Sequence, residues 1–214
     1  MEHKRDFPEY LTRAAQLISV SLSTEQIDKF STYLSELKRW NATTNLTSLA
    51  EDQEIIVKHF IDSIAILQFI DIEPYGSVLD IGAGAGFPSI PLKIVRSDLR
   101  PSLLESNAKK VSFIRYITGT LALHNVATFS TTLARFAATC AQKFDCAVVR
   151  ALKISPWSKQ VSTLLKDTGI GIVYRTTPMA IGDIPEGAQI RDEFRYQLPF
   201  GYGSRVLTLI SWSR

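Results

Sequence analysis

Three glycines at alternate positions, Gly82, Gly84 and Gly86, follow a short apolar run and lead into Phe87-Pro88. Such a loop turns tightly, adopts positive φ and lets a ligand approach the backbone closely. Ser77 to Ile81 before it reads as a buried strand ended by glycine. Pro88 after it suits the first turn of a helix, where its missing N–H costs nothing. A second apolar segment, Pro101 to Leu104, closes on an acid, Glu105, in the place where a carboxylate grips ribose hydroxyls. Together these parts describe a nucleoside-cofactor site at the C-terminal edge of a parallel sheet. A turn without a ligand is the plain alternative, but three alternate glycines would each cost entropy there without return.

Two cofactors compete for such a loop. A dinucleotide fold uses G-x-G-x-x-G, which would put glycine at position 87, where Phe87 stands. The pattern here is D-x-G-x-G-x-G, with Asp80 two residues before the first glycine. That variant resembles the class I methyltransferases that use S-adenosylmethionine (SAM).

The elements that must position this loop are legible along the chain. At 214 residues with 45% hydrophobic content, the chain fits one α/β domain plus a modest extension. Helices are expected from Pro8 to Val20 and after the capping box Ser23-Thr24-Glu25-Gln26. In the second of these, Ile27, Phe30, Tyr33, Leu34, Leu37 and Trp40 recur at helical spacing and read as core. Asn41 to Thr47, polar and turn-prone, is expected to break it. Ser48 to Glu51 reads as another capping box, ahead of a helix carrying Ile55, Ile56, His59, Phe60, Ser63, Ile64 and Leu67. His59 and Ser63 share a face of it, with Asp62 near. A mid-helix serine lacks the strained turn of a nucleophile, so a polar seam against the sheet is the reading preferred, with a place at the edge of the site as the alternative. This helix ends before Pro74-Tyr75-Gly76.

Further on, Pro88 to Val95 is a crossover helix. Asn107 caps a helix running to about Leu123, with Val111, Ile114, Ile117 and Leu121 as its buried stripe. Strands follow at Val126 to Ser130 and Phe144 to Val149, the latter ended by Arg150. Ser155 to Leu165 is a helix, Gly169 to Tyr174 a strand, and Ile190 to Leu198 with Arg205 to Trp212 a final β pair. Alternating strands and helices, then two successive strands, give an α/β fold: a parallel, Rossmann-like sheet of the class I SAM-dependent methyltransferase type, finished by an antiparallel unit. Residues 1–73 are expected to form an N-terminal helical extension and residues 74–214 the SAM-dependent methyltransferase domain.

Charge divides along the same line. Residues 1–73 carry 7 Lys and Arg against 12 Asp and Glu, and the remainder 17 against 9. A basic cofactor-binding part attracts polyanions, and nucleic acid is the obvious one. No apolar run approaches membrane-spanning length, so no membrane partner is expected. The charged start, Met1 to Asp6, does not read as a signal peptide. Two cysteines, Cys140 and Cys146, without metal-ligand spacing fit a reducing, cytoplasmic setting and no metal site.

Strand-end positions restrict the chemistry. Enzymes of exocyclic amines commonly carry an N-P-P-Y-like tetrapeptide after the fourth strand, where this chain has Val149-Arg150-Ala151-Leu152. Cytosine-C5 enzymes need a nucleophilic cysteine, usually after proline, and neither cysteine follows one. What remains is an acceptor that is already nucleophilic, such as guanine N7, which needs no general base. Four stretches then carry a closer resemblance: Trp40-Asn41 with Asn45-Leu46-Thr47; His59-Phe60-Ile61-Asp62-Ser63; Asp80 through Pro91; and Glu105 to Lys110 with Phe113. In these the chain resembles the GidB/RsmG family, bacterial small-subunit ribosomal RNA guanine-N7 methyltransferases. The resemblance implies a class I methyltransferase sheet with extra N-terminal helices. The implied activity is methylation of N7 of guanine 527, in the 530 loop of 16S rRNA, presented in the small subunit or an assembly intermediate; a monomer is expected.

It also implies site residues. Asp80, Gly82, Gly84 and Gly86 belong to the cofactor loop, Gly82 contributing backbone, and Phe87 lines the methionine side of SAM. Glu105 holds the ribose, Leu133 and Ala134 flank the adenine, and Arg150 contacts cofactor or phosphate or positions the reactants. Lys109, Lys110, Arg115, Arg150, Lys153 and Arg175 would meet RNA phosphates. The chain departs from the family pattern at Ser89 (glycine), Ala134 (an acid), Val149 (serine) and Val173-Tyr174-Arg175 (Leu-Lys-Gly). Two other readings stand beside this one: a SAM methyltransferase of a small molecule or protein with the N-terminal helices as a lid, and a non-catalytic RNA-binding relative.

Overall fold

The computed structural model describes residues 6–74, 76–150 and 158–212. The calls on Met1 to Arg5, Tyr75, Ala151, Leu152, Lys153 and the start of the helix expected from Ser155 lie outside the described residues. Seven strands of the described residues form one sheet: β1 (Ser77–Ile81), β2 (Arg100–Glu105), β3 (Ala127–Ser130), β4 (Phe144–Arg150), β5 (Leu165–Arg175), β6 (Ala188–Gln197) and β7 (Ser204–Trp212). Their order is β3-β2-β1-β4-β5-β7-β6. β1 pairs in parallel with β2 and β4, β2 with β3 and β4 with β5, while β7 lies antiparallel between β5 and β6. All five residues of β1 are buried, as a central parallel strand requires. Ile81 stands opposite Leu104 and Val149. The register therefore delivers the loop after β1, Glu105 and Arg150 to the same edge of the sheet.

Among the described residues, eight α-helical segments flank the sheet: α1 (Phe7–Leu17), α2 (Thr24–Thr44), α3 (Asp52–Ile55), α4 (Asp62–Ile64), α5 (Ser89–Val95), α6 (Ala108–Thr120), α7 (Leu133–Thr139) and α8 (Ser158–Leu164). Core residues of the N-terminal helices, such as Leu11, Phe30, Tyr33, Leu37 and Phe60, share one buried cluster with Val78, Leu103, Val148 and Ile172 of the sheet. Leu133, Phe136, Val161 and Leu164 of α7 and α8 cover the other face, against Leu79, Ile81, Leu104 and Val149. Ser23 and Gln26 form the expected capping box on α2. The Gln26 amide also donates to the Ile94 and Val95 carbonyls at 3.2 and 3.0 Å, tying this cap to the end of α5. Asn107 caps α6 through the Lys109 and Lys110 amides.

Three local expectations are corrected. Helix α2 does not break at Asn41 but runs to Thr44 and stops at Asn45, which takes a left-handed conformation (φ 50). Asn41 turns its side chain away, accepting the Thr47 amide at 2.9 Å, and so does not compete with its own helix. Ser48 to Glu51 forms no capping box: α3 starts at Asp52, whose carboxylate pairs with Lys38 of α2, and it is the Thr47 hydroxyl that accepts a loop amide, from Leu49. The helix carrying His59 is not uniform. Between α3 and α4 it widens into a π-helical turn, Ile56–Ile61, and it ends in a 3₁₀ turn, Ala65–Gln68.

That turn faces Arg150, which enters the protein from the end of β4. Arg150 Nη1 donates to the Lys58 carbonyl (3.3 Å) and to Ser63 Oγ (3.4 Å), and Nη2 to His59 Nδ1 (2.9 Å). Asp62 lies 3.6 Å from Arg150 and 3.7 Å from Arg205, and accepts the Tyr196 hydroxyl at 2.7 Å. Burial pushes the Asp62 carboxyl up, against the pull of Arg150, Tyr196 and Arg205. The Tyr174 hydroxyl donates to the Ser63 carbonyl at 2.9 Å. Since Arg150 can only donate, His59 Nδ1 must accept, and the ring proton sits on Nε2, 2.8 Å from Thr47 Oγ1. Burial, with Arg150 adding to it, lowers the His59 pKa to about 3.

Two outcomes follow from these joints. Gln26→Ala removes half of a capping box and two interhelical hydrogen bonds, and urea unfolding is expected to show a loss of about 1–2 kcal/mol. His59 stays neutral in the folded chain until its lowered pKa of about 3, but gains a proton near 6.5 once unfolded. Its contribution to stability is thus complete above pH 6.5 and lost as pH falls towards 3. His59→Gln keeps an acceptor for Arg150 and a donor for Thr47 without titrating. Unfolding curves at pH 7, 6, 5 and 4 should show the wild type losing stability relative to this variant on acidification. Parallel pH dependences would contradict the assignment.

Candidate functional site

The loop after β1 is built from its own backbone. The Gly82 and Ala83 amides both donate to the Leu104 carbonyl (2.9 and 3.0 Å), and the Gly86 and Phe87 amides donate to the Ala83 carbonyl (2.8 and 2.9 Å). Gly82, Gly84 and Gly86 all have positive φ, at 73°, 61° and 101°. Two of these glycines serve different ends. A Cβ at Gly86 would lie 2.5 Å from Ile90 Cδ1 and 3.1 Å from the Tyr33 hydroxyl, so this glycine permits close packing. A Cβ at Gly84 would meet nothing within 4 Å, so this part of the loop fronts open space.

Asp80 lies under the loop, fully buried, and accepts the Ser89 amide at 3.1 Å at the start of α5. Its other oxygen has no hydrogen-bond partner among the described residues. Burial pushes its pKa up to about 7, with Ser89 pulling the other way. Pro88 precedes α5 by one residue, as its N-cap, and helical residues begin at Ser89 rather than at Pro88.

Glu105 ends β2 with both carboxylate oxygens engaged from one side. Oε2 accepts the Gly84 amide at 3.0 Å and Oε1 the Asn107 amide at 2.8 Å. An acid held in this way keeps lone pairs for two more donors. The chain returns to the same edge after β3, where the Thr131 amide donates to the Glu105 carbonyl at 3.2 Å. Leu133 and Ala134 then open α7, Leu133 buried in the core below and Ala134 exposed.

Phe87 joins loop and N-terminal helices. Its ring stacks on His59 (centroids 4.5 Å apart) and on Tyr33 (5.4 Å), and the Arg150 guanidinium lies 5.0 Å from its centroid. Only 6% of it is exposed. The structure thus gathers Asp80, the three glycines, Phe87, Glu105 and Arg150 around one loop, with Leu133 and Ala134 following along the sheet edge. Of the cations expected to meet phosphates, Lys109 and Arg115 are exposed and Lys110 half-buried on α6. Arg150 is instead committed to the seam, and Arg175 pairs with Asp183 at 2.9 Å and donates to the Thr177 carbonyl. One participant escaped the sequence reading. Tyr33 read as core, yet its hydroxyl donates to the Ala85 carbonyl at 2.6 Å. A hydroxyl in an otherwise apolar stripe was the one available signal, because a buried tyrosine usually needs a partner for it. His59 does lie in the expected polar seam, and its ring also stacks on Phe87, a contact with no sequence signal of its own.

Comparison with known proteins bears on this arrangement. Residues 26–182 match the GidB family model, described as rRNA small subunit methyltransferase G. A protein of Oceanobacillus iheyensis named ribosomal RNA small subunit methyltransferase G is 32% identical over 97% of this chain and 91% of its own length. The protein of that name from Geotalea uraniireducens is 33% identical over 94% of both chains. Among solved structures, precorrin-6y C5,15-methyltransferase from Geobacter metallireducens superposes with a TM-score of 0.53 at 18% identity, covering 78% of this chain and 92% of that one. TrmN from Thermus thermophilus gives 0.58 at 13%, over 72% and 48%. These structures share the fold: a class I SAM methyltransferase sheet, preceded in this chain by helices. SAM is the cofactor of such an enzyme, and the residues present fit it. Open space lies before Gly84, a carboxylate with spare lone pairs lies beside that glycine, and an aromatic ring stands at the loop's end. The chain belongs to the GidB family, the rRNA small subunit methyltransferases G.

Proposed function

We propose that this chain methylates N7 of guanine 527 in the 530 loop of 16S rRNA, within the small ribosomal subunit or an assembly intermediate. The observation that supports it most is the meeting of the glycine loop, Glu105 and Arg150 at one sheet edge with no free general base beside them among the described residues. Bound SAM supplies a methyl group on a positively charged sulfur. The roles of the chain's residues in this reading are positional. Gly82 and Gly84 give the cofactor close access to the backbone, and Asp80 fixes the loop from beneath through Ser89. Glu105 receives the ribose hydroxyls on its spare lone pairs, while Leu133 and Ala134 border the adenine. Phe87 walls the methionine side, held by His59, Tyr33 and Arg150.

Guanine N7 carries its lone pair in the ring plane and has no proton to lose before attack. The chain then has to orient the base, exclude water and tolerate charge on the product. The nearby titratable groups suit that task better than proton transfer. Both His59 nitrogens are hydrogen-bonded, and both Glu105 oxygens accept backbone amides. Lys109, Lys110 and Arg115 of α6 form the phosphate-facing set. The division into a helical extension, residues 1–73, and a methyltransferase part, residues 74–214, belongs to the same reading, with the extension bracing the cofactor loop.

The test is transfer of labelled methyl from SAM to undermethylated small subunits, followed by mapping of the base. Label at N7 of guanine 527 is expected; label elsewhere, or none on subunits with SAM still bound, overturns the reading. Gly84→Asp has room to fold, because aspartate tolerates a left-handed conformation, yet it sets a second carboxylate beside Glu105. It is expected to abolish SAM binding in calorimetry. Lys109→Ala with Lys110→Ala should weaken subunit binding and flatten the slope of log K against log salt by about one per lysine. An unchanged slope would remove α6 from the RNA-facing surface.

A further inference from the structure

Tyr33 stands on α2, 52 residues before Ala85 of the cofactor loop, and is fully buried. Its ring packs on Phe60, Phe87 and Phe113 at centroid distances of 5.2, 5.4 and 6.2 Å. Phenylalanine would serve such packing equally well. The hydroxyl needs its own explanation, and it is the donor to the Ala85 carbonyl at 2.6 Å. That carbonyl belongs to the peptide joining Ala85 to Gly86, so its direction sets the φ of Gly86, observed at 101°. One residue earlier, the Gly84 amide is aimed at Glu105 Oε2. The hydroxyl also borders the empty Cβ position of Gly86, at 3.1 Å, so the same atom limits how far that glycine can move.

A buried carbonyl left without a donor is costly, and a glycine beside it can relieve the cost by rotating the peptide. Rotation here would also pull the Gly86 amide off the Ala83 carbonyl, and the two acceptors that shape the loop, Ala83 and Leu104 of β2, are already used by loop amides. At the Ala85–Gly86 peptide the amide is held within the loop, donating to the Ala83 carbonyl at 2.8 Å, while the carbonyl is held from outside the methyltransferase sheet, by Tyr33. We propose that Tyr33 is a positioning residue for SAM, its hydroxyl locking the Ala85–Gly86 peptide so that the cofactor loop is formed before the cofactor arrives. The proposal rests on the placement of SAM against this loop. It gives the N-terminal helices a part in cofactor affinity that does not depend on any contact with SAM.

The experiment uses the full chain, with SAM affinity from calorimetry, stability from urea unfolding and hydrogen exchange at the loop amides. Tyr33→Phe keeps the ring and removes only the hydroxyl. Its SAM Kd is expected to rise about tenfold, the loss of one buried hydrogen bond, with faster exchange confined to the Gly84 to Phe87 amides. Phe30→Leu, on the same buried stripe but packed on Phe60, is expected to lower the unfolding midpoint and leave SAM Kd unchanged. Glu105→Gln is expected to weaken SAM by about 10- to 100-fold, as loss of a charged acceptor does. Wild-type SAM affinity in Tyr33→Phe alone overturns the role of Tyr33. So does a Phe30→Leu chain that loses SAM affinity as much as Tyr33→Phe, because general core loosening would then account for both. Unchanged affinity in both Tyr33→Phe and Glu105→Gln overturns the placement of SAM on this loop, and the proposal with it.

Discussion

Arg150 sets the constraint that most of this architecture answers. It ends a central strand, its side chain is only 14% exposed, and its charge cannot be left unsatisfied there. Its partners come from one short stretch of the N-terminal helices: the Lys58 carbonyl, the His59 ring, the Ser63 hydroxyl and the Asp62 carboxylate. A straight α-helix presents side chains at fixed three- and four-residue spacing. The π-helical turn from Ile56 to Ile61 lets a backbone carbonyl and three side chains turn to one guanidinium. Such turns interrupt helices mainly where function or a local demand requires them. The N-terminal helices are thus held to the sheet by a charge that must be paired as well as by the shared apolar cluster.

The same seam explains a departure from the family pattern. Tyr174 stands where the pattern has lysine, near the end of β5, and is 5% exposed. Its hydroxyl takes the Ser63 carbonyl, one residue from Asp62, while Tyr196 of β6 takes Asp62 itself. A lysine at position 174 would bring another charge to a seam that already holds Arg150 and Arg205 against one carboxylate. A tyrosine brings a donor without a charge. Val149, in place of serine, adds only apolar bulk to the buried end of β4.

The strands were legible in the sequence for a physical reason. Parallel strands buried on both faces are continuous apolar runs, and those at Ser77, Phe144 and Gly169 are of that kind. Their ends were legible too, because glycine, Glu105 and Arg150 interrupt the runs. Strand β5 was the exception: it begins at Leu165, four residues ahead of the expected Gly169, running straight out of α8. The features that were missed depend on partners distant in sequence. Asn41 reads as a breaker until Thr47 engages its side chain, and a stop at Asn45 requires a left-handed residue that propensity does not single out. The π-helical turn has no signature of its own, since it answers to Arg150, ninety-one residues beyond His59. The cofactor loop lies between these cases. Its glycines announced it, but only the structure separates Gly84, which fronts open space, from Gly86, which lets Ile90 and Tyr33 close in.

These ties also narrow what the site can do as chemistry. A general base needs a lone pair directed at the substrate and a pKa near working pH. His59 offers neither: Nδ1 is taken by Arg150, Nε2 carries the proton toward Thr47, and burial drives the pKa to about 3. Asp62 is shared among two arginines and a tyrosine, and Asp80, although burial raises its pKa to about 7, is fully enclosed beneath the loop, so no lone pair of it is open to a substrate. Groups committed in this way are worth more as a rigid frame than as proton carriers. A frame is what an acceptor with a ready lone pair asks for, since its reaction gains most from alignment and from shielding against water. The network that satisfies Arg150 therefore also fixes the ring of Phe87, and through it one wall of the space in front of the glycine loop.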